Sequence, residues 1–134
     1  MSGVLAAALA AAALLLTGPA EPTTAEDAVQ QYGDAIVDDD WSRVWDLTCE
    51  EQRAGITKQA FVALNEGLAF QTAQDWLVGE VVPFTRVRAE AWRVDVTIVD
   101  RIYRADPFQE LVIREDGLLR VCGDISSASE RLPG

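Results

Sequence analysis

At Trp76 the hydrophobic pattern of this chain changes its period, and that change restricts the fold more than any other feature. Upstream, apolar or small residues recur every three or four positions: Ala25, Ala28, Val29, Tyr32 and Ile36, then Trp41, Trp45 and Cys49, then Ala60, Phe61 and Leu64. Such spacing gathers side chains on one face of a helix. Downstream, Trp92, Val94, Val96 and Ile98 alternate with Arg93, Asp95 and Thr97, the two-residue repeat of a half-buried strand. Helices followed by strands is the order of an α+β fold, in which N-terminal helices pack on one face of an antiparallel sheet.

Local signals divide those halves into elements. Thr23 with Glu26 reads as a capping box for the first helix, Asp40 as the cap of the second, and Thr57 as the start of a third that ends near Gly67. Residues 77 to 88 form a Val-rich strand that Pro83 confines to a sheet edge or a bulge. Residues 91 to 103, 108 to 115 and 118 to 122 supply the other three strands, the last two joined by an Asp116-Gly117 hairpin turn. The segment after Asp124 is polar and reads as a flexible tail over 125–134.

Gly3 to Leu16 is an unbroken run of Gly, Val, Leu and Ala. A helix of that length covers about 21 Å, short of a bilayer core of about 30 Å, and it suits the apolar region of a secretory signal. With small residues at Gly18 and Ala20, residues 1–20 are expected to be a signal peptide, 21–24 a linker, and 25–124 the folded domain. A membrane attachment is expected only if that leader stays uncleaved. In an exported chain two Cys read as one bridge, so Cys49 and Cys122 are expected to pair and to staple the second helix to the last strand.

Charge and composition exclude several functions. The chain of 134 residues carries a net charge of −11, which repels phosphate backbones and argues against nucleic acid as a partner. There is no His, so the commonest general base and the commonest catalytic-metal ligand are both missing. No metal site and no cofactor are expected. Asp38, Asp39 and Asp40 invite a calcium loop, but its sixth and twelfth positions would hold Arg43 and Cys49 instead of Gly and Glu.

Tyr32, Asp40-Trp41, Leu47-Thr48-Cys49, Pro107-Phe108, Arg114 to Gly117 and Arg120 to Gly123 together resemble small exported proteins of high-GC Gram-positive bacteria. Those proteins belong to the nuclear transport factor 2-like superfamily, the cystatin-like rolls, in families of unknown function sometimes labelled lumazine-binding-like. The resemblance covers roughly residues 24 to 124, and Cys49 and Cys122 fall where those families place their two Cys. It implies a curved four-stranded sheet wrapped around a long helix, a cone-shaped cavity, and often a homodimer across the sheet. The superfamily holds both enzymes and non-catalytic members, so the fold alone assigns no activity.

Against that background a few side chains are candidates for function. Asp100 shares the register of Trp92, Val94, Val96 and Ile98; a carboxylate on that face would be desolvated and its pKa raised toward that of a general base. Tyr103 or Tyr32 could then donate to a developing oxyanion. The alternative places Asp100 at the strand end, paired with Arg101 or Arg104. For ligand binding the candidates are Trp92 and Tyr32 at a cavity mouth and Arg93 among the strand arginines, which otherwise pair across strands with Glu90, Asp95 and Asp106. With no nucleophile arrangement in view, the expected function is an exported, non-catalytic domain that binds a small apolar molecule or another envelope protein. The alternative is an isomerase- or dehydratase-like enzyme built on Asp100 and a tyrosine.

Overall fold

The structure, a computed structural model, describes residues 20–67, 73–100, 102 and 104–134. The leader, Arg101 and Tyr103 lie outside the described residues, apart from Ala20. Helix α1 spans Ala25–Val37, α2 Trp41–Leu47, α3 Glu50–Arg53 and α4 Lys58–Glu66. Strands β1 (Ala73–Pro83), β2 (Ala91–Asp100), β3 (Ala105–Glu115) and β4 (Leu118–Asp124) follow, and helix α5 (Ile125–Arg131) ends the fold. The strands form one antiparallel sheet in sequence order, so every strand pairs with its neighbour along the chain.

Helix starts follow from side-chain oxygens that satisfy free backbone N–H groups. Asp40 caps α2 by accepting from the Arg43 N–H, and Thr57 caps α4 by accepting from Ala60. At α1 the box sits one residue later than Thr23 and Glu26 suggested. Thr24 is the cap and accepts from the Asp27 N–H, while Asp27 accepts from the Thr23 N–H. Asp116 and Gly117 both take positive φ, 52° and 80°, the geometry of a type I′ turn between β3 and β4.

The main core lies between α1 and the inner face of the sheet. Ala28 and Val29 of α1 meet Val94 and Val96 of β2, Val112 of β3, and Leu119 and Val121 of β4. Each such valine or leucine is worth about 1.5–3 kcal/mol when taken from water. Trp76 of β1 closes this core, edge-on to Tyr32 at 5.9 Å and to Phe108 at 5.4 Å between ring centroids. Its indole lies directly against Gly33, where a Cβ would clash with the Cγ, Cδ1 and Cδ2 atoms of the ring. A Gly33→Ala variant will therefore lose about 1–3 kcal/mol in urea unfolding despite the better helix propensity of alanine. A gain in stability would show that the Trp76 contact has been misplaced.

Three features differ from the sequence reading. Leu64, read as inward, is 60% exposed, because α4 packs through Phe61 and Val62 onto Trp41 instead. Cys49 lies beyond the second helix, at the start of α3, where its N–H donates to Val121 of β4. The third concerns the tail after Asp124, which is helical over Ile125–Arg131. Asp124 caps it by accepting from the Ser126 N–H, and Ala128 packs with Leu111, Ile113 and Cys122. Those strand residues have the opposite parity to Val112 and Val121, so α5 covers the outer face of the sheet.

Cys49 and Cys122 are joined in a disulfide, with Cα atoms 5.2 Å apart and 73 residues between them in sequence. The bond ties the helical layer to β4 beside the Thr48–Val121 bridge.

Candidate ligand site and a buried acid

A pocket of about 330 Å³ opens on the inner face where the start of α1 leans over the sheet. Val81, Trp92 and Leu119 form its apolar floor, and Thr23, Thr24 and Glu26 form the polar lip. The lip is held in place by Glu21, whose carboxylate accepts from the buried Arg120 guanidinium at 2.8 Å. That hydrogen bond keeps the Glu21 pKa below its ordinary value. Arg114 also lines the pocket, its guanidinium carbon 5.6 Å from the centroid of a Trp92 ring. Glu90 fixes Arg114 there, accepting from its Nε at 2.8 Å while the Glu90 carbonyl accepts from the Arg114 N–H. Trp92 thus presents an aromatic surface beside a positioned cation, a combination suited to a flat apolar molecule with an electron-rich edge.

Deeper on the same face is a residue that sequence reasoning passed over. Glu110 pairs with Val94 on one side and Asp124 on the other, and it is 4% exposed. Among the described residues its Oε2 has no hydrogen-bond partner, and neither does the buried Nε1 of Trp76. Burial, with a smaller contribution from the Asp124 charge, pushes the Glu110 pKa up to about 8. At neutral pH it is mostly a neutral carboxylic acid, able to donate a hydrogen bond. Tyr32 feels the same surroundings: burial first, then the Glu110 charge, hold its phenol well above the ordinary pKa. The signal was present in β3, where Phe108, Glu110 and Val112 place a carboxylate in an otherwise apolar register.

Asp100 occupies the other role weighed for it. Its Oδ1 accepts from the N–H groups of Ile102 and Arg104, each at 2.9 Å, and its Oδ2 accepts from Arg104 Nε at 3.0 Å. These bonds, led by the Arg104 N–H, lower its pKa, opposite to the expectation of a desolvated base. The carboxylate organises the turn from β2 into β3, and Tyr103 lies outside the described residues. Arg93 is on the outer face, between Glu80 at 3.4 Å and Asp95 at 3.6 Å, and so is separated by the sheet from Trp92 and Tyr32. Among the described residues no group of three His, Cys, Asp or Glu side chains is arranged to hold a metal ion.

No protein-family model matches the chain, and no curated protein matches it. Among solved structures it is similar to a candidate NTF2-like transpeptidase from Campylobacter jejuni, with a TM-score of 0.51 at 13% sequence identity. The match covers 72% of this chain and 95% of that one. At such low identity the likeness concerns the fold: an α+β roll of the nuclear transport factor 2-like kind, helices first and a four-stranded antiparallel sheet after them.

Proposed function

We propose that this chain is an exported, non-catalytic roll that binds a small, largely apolar molecule on the inner face of its sheet. The observation that carries the reading is the pocket over Trp92, apolar beneath and bordered by the fixed guanidinium of Arg114. A planar ring system suits that floor, in keeping with the lumazine-binding-like label borne by families the sequence resembles. The commitment of Asp100 to a turn favours binding over the isomerase- or dehydratase-like alternative, which required that carboxylate as its base. Export is supported by the Cys49–Cys122 bond, by the apolar leader, and by the resemblance to exported proteins of high-GC Gram-positive bacteria. Among the described residues no helix is long and apolar enough to cross a membrane.

Native mass spectrometry of protein recovered from its own host tests the reading. The expected spectrum shows a chain starting near Glu21 that carries a small molecule, and a Trp92→Ala variant that binds the same molecule about tenfold more weakly. A ligand-free wild-type protein, or a retained ligand indifferent to Trp92, would count against it.

A further inference from the structure

We propose a second binding site on the outer face of the sheet, taking a small neutral molecule dense in hydroxyl groups, of the monosaccharide class. It is a pocket of about 390 Å³, within the range of about 300–1,000 Å³ usual for small-ligand sites. Its walls come from four places: Phe84, Thr85 and Arg86 after β1, Arg93 of β2, Gln109 of β3, and Ser126 and Ser129 of α5. The helix that sequence reading took for a loose tail therefore builds one side of it.

The chemistry of the lining selects the ligand class. Arg86 and Arg93 only donate hydrogen bonds, Gln109 both donates and accepts, the hydroxyls of Thr85 and Ser129 do either, and that of Ser126, which already donates to Asp124, accepts. Gln109 already donates to Asp95, which leaves its carbonyl oxygen as an acceptor. Among the described residues the buried Nε of Arg93 has no hydrogen-bond acceptor, Asp95 standing off at 3.6 Å. A sugar hydroxyl, accepting and donating at once, complements such an interleaved set, while the Phe84 ring offers an apolar wall to the C–H face of a pyranose.

An anion is the competing ligand, drawn by Arg86 as well as by Arg93, but the charge of Arg93 is already offset. The Arg93 guanidinium already lies 3.4 Å from Glu80 and 3.6 Å from Asp95. Those two carboxylates offset the attraction of Arg93 for an anion, since Coulomb energies fall only as the inverse of distance. The net charge of −11 adds to that opposition, whereas a neutral polyol escapes it.

Amide NMR of the oxidised full chain at neutral pH, titrated first with glucose and then with inorganic phosphate, tests the site. Glucose should shift the amides of Thr85, Ser126 and Ser129 saturably, and Gln109→Ala should weaken that binding about fivefold. If Gln109→Ala disturbs the fold, seen as spectral changes across the sheet, Ser129→Ala takes its place with the same expectation. The proposal is overturned if phosphate saturates this patch in preference to glucose, if glucose moves no amide there, or if the substituted protein binds glucose as the original does. Because the pocket over Trp92 is on the other side of the sheet, failure here leaves the reading of that pocket standing, and success does not depend on it.

Discussion

Replacing Cys49 and Cys122 together by alanine should remove about 4 kcal/mol of stability, the loop-closure value for a cross-link spanning 73 residues. Against a typical domain stability of about 5–15 kcal/mol, that is enough to leave the variant close to unfolding at ambient temperature. The effect arises mainly in the unfolded ensemble. Without the bond, the helical half and β4 are free to separate, and the unfolded chain gains conformations that the cross-link denies it. Urea titrations of the oxidised protein and the double variant should show midpoints about 2–3 M apart. A difference below about 1 kcal/mol would mean that the unfolded chain is nearly as restricted without the bond as with it.

The second large effect is a dependence of stability on pH, set by Glu110. Its pKa is about 8 in the folded protein against an ordinary value of 4.5, so the folded state keeps a proton that the unfolded state gives up. Stability from this source is complete below about pH 4.5 and disappears as the pH rises through 8. The difference across that window is on the order of 4 kcal/mol. Glu110→Gln keeps the shape and cannot ionise, so its stability should stay nearly level from pH 5 to pH 9 and exceed that of the original protein at the upper end. The window is well chosen because Glu21, Asp100 and Asp124 have lowered pKa values and lose their contributions only under more acid conditions. Urea unfolding at pH 5, 7 and 9 measures the slope. Parallel curves for the two proteins would place the Glu110 carboxyl in contact with water.

The architecture could be read from the sequence because its strongest determinants are local. The change of period near Trp76, the caps at Asp40 and Thr57, and the Asp116-Gly117 turn each act within a few residues. A meander of neighbouring strands then needs no long-range information to order its sheet. What escaped was tertiary in origin. Ile125, Ala128 and Leu132 do have helical spacing, but that they meet Leu111, Ile113 and Cys122 is decided by the sheet and by nothing within the segment. The outward turn of Leu64 depends on where Trp41 offers a surface to α4.

The two acids make the same contrast. Asp100 was singled out because its register placed it inward, yet the end of a strand obeys its turn more than its parity, and two backbone N–H groups claimed the carboxylate. Glu110 stands in the middle of β3, where parity does govern, and alternation with the buried Val112 would have placed it inward. Mid-strand position, more than residue type, was the clue. Of the candidate ligand residues, Trp92 does line an inner-face pocket, whereas Arg93 belongs to the other side because adjacent strand residues point in opposite directions.

The order of the strands also bears on how the molecule is made. Each hairpin can form as soon as its second strand has been made, since its partner has just preceded it. Cys49 must wait instead, a thiol open to whatever oxidants and stray thiols are present, until the chain has been made as far as Cys122, 73 residues on. Maturation should accordingly be limited by the arrival of β4, and a chain truncated before Cys122 should accumulate in mixed disulfides while its first hairpin forms normally.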